Sequence, residues 1–337
     1  MPTVLLTAPY MLRIWDRVRP IFEAFDVEVI RPRVRERLEE EELLRYAGRF
    51  DGALCGDDRF TARVLEASLP RLKVIVKWGT GVDSIDREAA RRLGIPVYNT
   101  PGAFTEPVAD TVLGFILAFA RRIPQLDADM KAGRWEKQVS RALNELTLGV
   151  VGVGNIGKAV LRRARAFGMA LLGNDIRPID PVFIEEVGVE MVPLEDLLRR
   201  ADFVSLNCDL NPTSYHLINR ERLALMKPTA VLINTARGPV VDEPALIEAL
   251  EQGRLAGAAL DVFEEEPLPE DSPLRRMGNV LLSPHNANAS PRAWERVHWN
   301  SLKMLWKGLD MDPASLGEWE RSWPLEPNLE QSSGAVL

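Results

Sequence analysis

Three ionisable residues each follow a short apolar, strand-like segment in the C-terminal half of the chain: Arg237, Glu266 and His285. An arginine can hold a carboxylate with two parallel hydrogen bonds. A histidine can give or take a proton near neutral pH, and a glutamate beside it raises the imidazole pKa and fixes its tautomer. Together these residue types are suited to binding an anionic substrate and moving a proton on it.

A glycine-rich turn at residues 152–157 predicts a site for a dinucleotide. Gly152, Gly154 and Gly157 have the spacing G-x-G-x-x-G and directly follow the apolar segment 148–151. Gly152 permits a tight turn, Gly154 lets a pyrophosphate approach the backbone, and Gly157 lets the next helix pack against the strand. The N-terminus of that helix offers N–H groups to the phosphates.

Asp175 ends the next apolar segment, about 20 residues after the glycine turn, where a ribose-binding acid is expected. A carboxylate there accepts hydrogen bonds from the two hydroxyls of the adenosine ribose and repels the 2′-phosphate of NADP. Arg177, two positions later, would offset part of that repulsion. We therefore predict NAD as the cofactor. The alternative is a purely structural turn followed by a solvated aspartate.

Strands alternating with helices must position these residues, and this alternation predicts an α/β fold. We expect two doubly wound parallel-sheet domains of the Rossmann or flavodoxin type, with the active site in the cleft between them. Residues 1–100 and 289–337 would form a discontinuous substrate domain, completed by a helix over 292–307. Residues 101–288 would form the NAD-binding domain. The carboxyl ends of its strands share one edge, so the three ionisable residues should meet near the glycine turn.

The composition is that of a globular protein with 46% hydrophobic residues and a formal net charge of −7. It predicts no basic surface for nucleic acid or an anionic membrane, and no metal site is evident. The longest apolar run, residues 112–120, is too short to cross a bilayer. Cys55 and Cys208 are too few for a disulfide framework, and the N-terminus lacks the basic segment of a secretory signal. We expect a cytoplasmic protein.

At the chemically active residues, the sequence resembles the D-isomer-specific 2-hydroxyacid dehydrogenase family over almost the whole chain. The matching motifs are the glycine turn, Asn-Thr-Ala-Arg-Gly-Pro-Val-Val-Asp at 234–242, Leu-Asp-Val-Phe-Glu-x-x-Pro at 260–267 and Ser-Pro-His at 283–285. The resemblance implies an NAD-dependent oxidoreductase that interconverts a D-2-hydroxy acid and its 2-keto acid. Its catalytic residues would be Arg237, Glu266 and His285. We choose Glu266 over its two neighbouring glutamates because it precedes Pro267, as in the family.

The resemblance also implies the residues that contact the cofactor and the substrate. The expected cofactor contacts are Gly152, Gly154, Asn155, Ile156, Gly157, Asp175, Thr235, Ala236, Arg237, Asp261 and His285. Of these, Asp261 would hold the nicotinamide carboxamide. The segment 77–83 resembles the family's substrate loop, in which the N–H groups of Gly79 and Thr80 would bind the substrate carboxylate together with Arg237. Lys77 would add charge there, or would instead be a solvated lysine at a strand end.

Two departures from the family pattern bear on the substrate and the cofactor. Gly-Asp-Asp at 56–58 stands where many phosphoglycerate-using members have an arginine, so a substrate phosphate would be repelled unless Arg59 compensates. Asn-Cys-Asp-Leu at 207–210 replaces the frequent His-x-Pro-Leu and would alter the packing of the cofactor. His216 and His298 lack catalytic surroundings in the sequence and are predicted to be structural.

Several alternatives remain open for the function. The chain is phosphoglycerate dehydrogenase-like without the regulatory domain, so it could be phosphoglycerate dehydrogenase proper. It could also be a non-enzymatic, NADH-sensing binding protein of the same fold, or an enzyme that takes hydride from formate or phosphite. The resemblance implies a homodimer, with helix 104–122 and Trp135 as its candidate interface. We expect the last dozen residues to be mobile or to lie on a neighbouring subunit.

Overall fold

The computed structural model describes residues 1–323, so the expectation for the last dozen residues lies outside the described part. The chain divides into two compact units. The first unit comprises residues 1–103 and the chain from Ser290 onwards, and the second comprises residues 104–289. Each unit contains one parallel β-sheet, which is the α/β architecture expected from the alternation of strands and helices.

The first unit contains a five-stranded sheet with the strand order β2-β1-β3-β4-β5. Its strands are β1 (Thr3–Leu6), β2 (Glu28–Ile30), β3 (Gly52–Cys55), β4 (Val74–Lys77) and β5 (Val97–Tyr98). All neighbouring strands pair in parallel. The three central strands are completely buried, so their sequences are continuous rather than alternating apolar runs.

Five helices connect these strands: α1 (Pro9–Arg13), α2 (Trp15–Ala24), α3 (Glu40–Leu44), α4 (Ala62–Ala67) and α5 (Arg87–Arg92). The first two of these helices, α1 and α2, are separate elements. They meet at Ile14, whose φ of −104° and ψ of 23° leave the helical region, and whose N–H bonds the carbonyl three residues back. This tighter turn separates α1 from α2.

The second unit contains a seven-stranded sheet with the strand order β12-β11-β10-β9-β6-β7-β8. Its strands are β6 (Thr147–Val151), β7 (Ala170–Asn174), β8 (Glu190–Met191), β9 (Phe203–Leu206), β10 (Val231–Asn234), β11 (Gly257–Leu260) and β12 (Val280–Leu282). All neighbouring strands are again parallel. Val150 and Val151 belong to different apolar clusters because successive strand residues point to opposite faces.

The helices of the second unit are α6 (Thr105–Ala120), α7 (Ile123–Lys131), α8 (Asn155–Ala166), α9 (Pro181–Val187), α10 (Leu194–Arg200), α11 (Arg220–Leu223) and α12 (Glu243–Glu251). The predicted helix 104–122 corresponds to α6, which packs against α8. The sequence analysis missed α7, which has no buried residue. A helix without a buried face has no apolar periodicity by which to recognise it.

The chain returns to the first unit through α13 (Pro291–Gly308) and ends its described part with α14 (Gly317–Ser322). The predicted helix 292–307 therefore exists, and it lies against β3 and β4. Its close approach depends on Gly308, because a Cβ there would overlap the side chain of Val74. Within residues 1–323, no helix has the length and apolar character needed to cross a bilayer.

Each sheet contains one point where the order of its strands reverses. In the first unit this switch point lies between β1 and β3, and in the second it lies between β6 and β9. Connections leave such a pair of strands in opposite directions, so a crevice opens at their carboxyl ends. Such a crevice is the place where a sheet of this type can hold a ligand.

Candidate active site

The glycine turn lies at the switch point of the second unit, between β6 and α8. Gly152 has a φ of +89°, and a Cβ there would come within 2.7 Å of the backbone of Asn207 and Cys208. A Cβ on Gly157 would overlap the carbonyl oxygen of Gly152. By contrast, a Cβ on Gly154 would meet nothing within 4 Å in the part of the chain that the structure describes. The turn is therefore tightly packed on its protein side and open where a phosphate would approach.

Asp175 follows β7 and is bound directly to the glycine turn. Its Oδ2 accepts a 2.8 Å hydrogen bond from the N–H of Val153, and its Oδ1 accepts one of 2.8 Å from the N–H of Arg177. The Arg177 side chain is 74% exposed, with its Nε 3.8 Å from the carboxylate. The predicted ribose-binding acid and the predicted phosphate-binding turn thus form one continuous structure.

Two buried oxygen atoms at neighbouring strand ends find no hydrogen-bond partner among residues 1–323. They are Oδ1 of Asn207, directly after β9, and Oγ1 of Thr235, directly after β10. Buried polar atoms are nearly always hydrogen-bonded, and these two, among eight such side-chain atoms in the described residues, lie at the same strand-end edge of the sheet as the glycine turn. A dinucleotide, with its hydroxyl and amide donors, fits this edge of the sheet. The predicted contacts Asn155 and Ile156 form the first turn of α8.

Arg237 lies in a turn after β10 that the side chain of Asn234 holds on both sides. The Asn234 Nδ2 donates to the carbonyl of Arg237 at 2.9 Å, and its Oδ1 accepts from the N–H of Ala236 at 3.0 Å. The Arg237 Nη1 donates to the carbonyl of Ala236 at 2.8 Å. The sequence analysis did not assign this role to Asn234. The sequence feature that could have indicated this role is a polar residue at the end of an otherwise apolar strand.

Glu266 and His285 form a direct pair. The Oε2 of Glu266 lies 2.8 Å from Nδ1 of His285, and each side chain is 31% exposed. The other carboxylate oxygen, Oε1, accepts a 3.0 Å hydrogen bond from the N–H of Phe263. A carboxylate acceptor at Nδ1 places the ring proton there in the neutral imidazole and leaves Nε2 as the acceptor nitrogen of the ring.

Asp261 holds the loop that carries His285. Its Oδ1 accepts from the N–H of Asn286 at 2.8 Å, its Oδ2 accepts from the N–H of Ala287 at 3.0 Å, and its carbonyl accepts from the N–H of His285. The residue is only 1% exposed. His285 itself has a φ of +52°, an unusual conformation that these bonds support. The role of Asp261 toward the nicotinamide stays a prediction.

The elements that carry the three proposed catalytic residues are neighbours in the sheet. Arg237 follows β10, Glu266 lies in the loop after β11, and His285 follows β12. The first two loops also touch, because a Cβ on Gly238 would overlap the carbonyl group of Phe263. The second unit therefore gathers the arginine loop and the histidine–glutamate pair at the same sheet edge as the glycine turn.

The side chain of Lys77, at the end of β4 in the first unit, is buried. Lys77 is 3% exposed, and its Nζ lies 2.6 Å from the carbonyl of Gly56 and 2.5 Å from Oδ1 of Asp57. The alternative of a solvated lysine at a strand end is therefore wrong. In the following loop, the carbonyl of Gly79 accepts from Thr100, and the carbonyl of Thr80 accepts from the Nδ2 of Asn99. The substrate contacts assigned to Lys77, Gly79 and Thr80 stay predictions.

The burial of the Asp58 carboxylate changes the expectation about a substrate phosphate. Its carboxylate is completely buried and accepts hydrogen bonds from the hydroxyl of Thr7 and from the N–H groups of Leu38 and Gly56. Burial raises the pKa of this carboxyl group. The expectation that the Gly-Asp-Asp segment repels a phosphate is therefore wrong for Asp58, because its carboxylate points into the protein. The neighbouring Asp57 shares its charge with Lys77.

The two remaining histidines have clear partners. The Nδ1 of His298 accepts a 3.0 Å hydrogen bond from Nε1 of Trp78, and burial lowers the pKa of His298 to about 3, with a smaller contribution from Arg17. This buried, neutral ring is consistent with a structural residue. The Nε2 of His216 lies 2.8 Å from Oε1 of Glu264. The second histidine–glutamate pair was missed, because its members are far apart in sequence.

A parallel sheet with a glycine turn at its switch point, an acid bound to that turn and a histidine–carboxylate pair at the same edge defines a dinucleotide-dependent dehydrogenase. Comparison with known protein families agrees with this class. Residues 113–287 match the model of the D-isomer specific 2-hydroxyacid dehydrogenase, NAD binding domain. The chain belongs to the D-isomer specific 2-hydroxyacid dehydrogenase family. Its relatives include a glyoxylate reductase and a D-3-phosphoglycerate dehydrogenase.

Individual relatives cover most of the chain. It is 46% identical over 247 residues to a glyoxylate reductase of Korarchaeum cryptofilum, which covers 71% of this chain and 74% of the relative. It is 42% identical over 282 residues to a D-3-phosphoglycerate dehydrogenase of Methanocaldococcus jannaschii, covering 82% of this chain but 52% of that longer protein. The structure of an Aquifex aeolicus D-lactate dehydrogenase complexed with NAD and lactic acid superposes with a TM-score of 0.81 at 28% identity, covering 97% of this chain and all of the other.

The family match confirms several expectations from the sequence. The protein is an NAD-dependent D-2-hydroxyacid dehydrogenase with two parallel-sheet α/β domains, and its cofactor is NAD. The open glycine turn, the bound ribose acid and the two orphaned oxygen atoms fit this dinucleotide. The particular substrate and the roles of individual residues go beyond the family match.

Proposed function

We propose that the protein uses NADH to reduce a short 2-keto acid and catalyses the reverse oxidation of the D-2-hydroxy acid. The observation that carries this proposal is the 2.8 Å contact between His285 and Glu266. It provides a proton donor next to the loop that bears Arg237. Glyoxylate is the first candidate substrate, because a glyoxylate reductase is a relative at 46% identity.

The substrate carboxylate is proposed to bind Arg237. The planar guanidinium can make two parallel hydrogen bonds to a carboxylate and polarise the neighbouring C2 carbonyl, whereas a lysine offers only a point charge. The N–H groups of Gly79 and Thr80 are proposed as further donors to the carboxylate. Lys77 adds positive charge to this loop, and Asp57 offsets part of it.

His285 is proposed to donate a proton from Nε2 to the carbonyl oxygen as the ketone becomes an alcohol. Glu266 at Nδ1 stabilises the imidazolium form and holds the ring in one orientation. In the oxidative direction, the unprotonated imidazole takes the hydroxyl proton back. When bound, the nicotinamide supplies the hydride for reduction.

The test is the loss of NADH absorbance with purified protein and a panel of 2-keto acids. The panel comprises glyoxylate, hydroxypyruvate, pyruvate, branched and aromatic keto acids, and 3-phosphohydroxypyruvate. We expect the highest kcat/KM with glyoxylate or hydroxypyruvate. A clear preference for 3-phosphohydroxypyruvate would instead identify phosphoglycerate dehydrogenase proper.

Variants of the proton-transfer pair distinguish catalysis from binding. We expect His285→Ala and Glu266→Gln to lower kcat by about 10²-fold to 10⁴-fold, the range for a general acid–base group. Glu265→Gln is the matched control, because Glu265 is an exposed neighbour that loses the same charge. No turnover with any keto acid, combined with NADH binding by fluorescence, would support the NADH-sensing alternative. Turnover with NAD and formate or phosphite, but with no keto acid, would support the alternative of an enzyme that takes hydride from formate or phosphite.

We also propose that the protein is a homodimer. In support, residues 123–139 expose apolar side chains that include Ile123, Met130, Trp135 and Val139, the last two being 82% and 93% exposed. Light scattering during size-exclusion chromatography should give twice the chain mass. Trp135→Ser combined with Val139→Asp should then shift the mass toward that of a monomer. A monomeric wild-type protein would contradict this proposal.

A cytoplasmic location is proposed from the cysteines. Cys55 and Cys208 are both free, and a reducing compartment keeps such thiols unpaired. Fractionation of the native host with antibody detection tests this. Recovery of the protein outside the cytoplasmic fraction would contradict it.

A further inference from the structure

The loop after β11 carries the glutamate of a second histidine–glutamate pair, Glu264, two residues before Glu266. The Nε2 of His216 lies 2.8 Å from Oε1 of Glu264, the same distance that separates Nδ1 of His285 from Oε2 of Glu266. The ring of Tyr215 stacks on His216 with a centroid distance of 4.1 Å and an interplanar angle of 15°. His216 also has a backbone φ of +46°, a conformation that residues other than glycine seldom adopt.

His216 contacts both loops that carry the proposed catalytic groups. Its backbone N–H donates a 2.8 Å hydrogen bond to the carbonyl of Pro239, two residues after Arg237. Its side chain binds Glu264, two residues before Glu266. One residue therefore links the arginine loop to the glutamate loop, through its backbone on one side and its imidazole on the other.

Glu264 extends this link to the N-terminus of α12. Its Oε1 accepts a 3.2 Å hydrogen bond from the N–H of Glu243, and its own N–H donates to Oε2 of Glu243 at 3.1 Å. A carboxylate at a helix N-terminus is favoured by the N–H groups there and the helix dipole. Burial raises the pKa of Glu243. The charges of residues 264–266 act in the same direction, and the hydrogen bond from Glu264 opposes them.

We infer that His216 and Glu264 are positioning residues for proton transfer. They hold the loop 263–266 so that Glu266 faces Nδ1 of His285, and they act through Glu266 rather than by touching the substrate. The inference deepens the proposed function and rests on it. Displacing a catalytic group by about 1 Å can cost up to 10²-fold in rate, so the link matters although it lies outside the reacting groups.

The first experiment measures steady-state kinetics with NADH and the best keto acid. We expect His216→Ala and Glu264→Ala to lower kcat about tenfold and leave the KM values for both substrates within about twofold. The double variant should lose no more than either single variant, because both remove the same link. His216→Gln and Glu264→Gln should retain most of the activity, because an amide can still donate or accept this bond. Glu265→Ala, which removes an adjacent charge outside the link, is the matched control.

A second measurement requires neither substrate nor cofactor. The chain has only three histidines, His216, His285 and His298, and the low pKa of His298 keeps it neutral above pH 5. In Glu264→Ala, NMR titration of His285 should shift to lower pH, because a displaced Glu266 stabilises the imidazolium less. Glu264→Gln and Glu265→Ala should leave it near the wild-type position. The pH profile of reduction should move in the same direction.

Substitutions combined with a change in a proposed catalytic residue separate this inference from the proposed function. In Glu266→Gln, His216→Ala should cause no further change in the titration of His285, because the link acts through Glu266. If Glu264→Ala leaves both kcat and the His285 titration at the values of the Glu265→Ala control, the positioning role is overturned. If the wild-type protein turns over no keto acid, the proposed function fails, whereas the titration result in the apo protein stands separately. Variants that do not fold are replaced by their glutamine counterparts, which must then equal the wild type.

Discussion

The two units use their switch points in opposite ways. In the first unit, the buried carboxylate of Asp58 closes the crevice between β1 and β3 by binding Thr7, Gly56 and Leu38. In the second unit, the crevice between β6 and β9 presents an open Gly154 and an Asn207 oxygen atom that has no hydrogen-bond partner, as far as the described residues 1–323 show. The topology places a crevice in both sheets. Side chains at the strand ends decide whether the crevice becomes part of the core or a ligand site.

Three titratable groups of the first unit and the His285–Glu266 pair of the second unit differ in a similar way. The first unit buries Lys77, Asp58 and His298 below 7% exposure, each with protein partners. The second unit leaves the Glu266 and His285 side chains 31% exposed, although they bind each other. Buried, fully bonded groups stabilise one conformation, whereas a half-exposed pair can still exchange a proton with a substrate. Substitutions in the first unit should therefore change stability, and those in the second should change turnover.

Among the substitutions that compare the two units, the largest expected effect is on turnover in the second unit, through Arg237→Lys. A lysine keeps the positive charge but loses the two-pronged geometry, so kcat/KM for the keto acid should fall about 10²-fold. NADH affinity and the free energy of unfolding should change little. Arg222→Lys, at a half-exposed ion pair with Glu195 in the same unit, is the matched control. Equal kcat/KM values for the two lysine variants would contradict the role of Arg237.

The next effect is on the acid stability of the first unit, through His298. Its folded pKa of about 3 lies below the usual histidine value of 6.5. Between these values the unfolded chain binds a proton that the folded chain does not, so stability is complete above about pH 6.5 and falls as the pH falls toward 3. We expect a loss of roughly 3–5 kcal/mol over this range. Urea unfolding at a series of pH values measures it.

A matched variant isolates the contribution of His298. His298→Gln keeps an acceptor for Nε1 of Trp78 but cannot be protonated in this range. Its stability should therefore fall less steeply than that of the wild type between pH 6.5 and 4. Parallel curves for the two proteins would show that other groups cause the acid dependence.

A smaller effect is expected where Asp58 closes the first switch point. Asp58→Asn replaces one acceptor oxygen with a donor that faces N–H or hydroxyl groups, so the free energy of unfolding should fall by about 1–3 kcal/mol. NADH affinity, measured by fluorescence titration, should be unchanged. Asp26→Asn is the control, because Asp26 is exposed and its φ of 52° suits asparagine. A weakened NADH affinity without a loss of stability would break the proposed division between the units.

The sequence was sufficient to predict the features that depend on local pattern. The strand ends that bear Arg237 and His285 were recognisable because apolar runs and glycine spacing are read from adjacent residues. Asp175 was predicted for the same reason, and it binds the glycine turn through Val153. These features need only the order of elements and the rule that parallel strands share their carboxyl edge.

The features that the sequence did not predict depend on partners far along the chain. Asp58 binds Thr7, 51 residues earlier, and His216 binds Glu264, 48 residues later. Nothing in the residues next to Asp58 distinguishes a buried carboxylate from a solvated one. Lys77 was ambiguous for the same reason, because its partners Gly56 and Asp57 directly follow β3 and lie 21 and 20 residues earlier in the chain. Burial of a charge is decided by the partners that the fold supplies.

The smallest expected effect uses the two cysteines, one in each unit, as reporters of the two switch regions. Cys55 lies within β3 and is fully buried, and burial raises the pKa of its thiol. Cys208 follows β9 and is partly buried, with its N–H against the glycine turn. Burial raises the pKa of Cys208 to about 11, and the carboxylates of Asp209 and Asp175 add to this effect. The thiolate is the reactive form, so Cys208 should react with a thiol reagent at pH 8 about 10²-fold more slowly than a free cysteine.

Cofactor binding should then separate the two thiols. NADH bound at the glycine turn should slow the reaction of Cys208 several-fold further. Bound NADH stabilises the native conformation of that strand end, in which Cys208 is largely shielded from the reagent. It should leave Cys55, measured in the Cys208→Ala variant, unaffected, because Cys55 reports only on the core of the first unit. The Cys55→Ala variant assigns the faster phase to Cys208. Equal protection of both thiols would mean that NADH stabilises the whole chain rather than one strand end, and the contrast between the two switch points would then not extend to their dynamics.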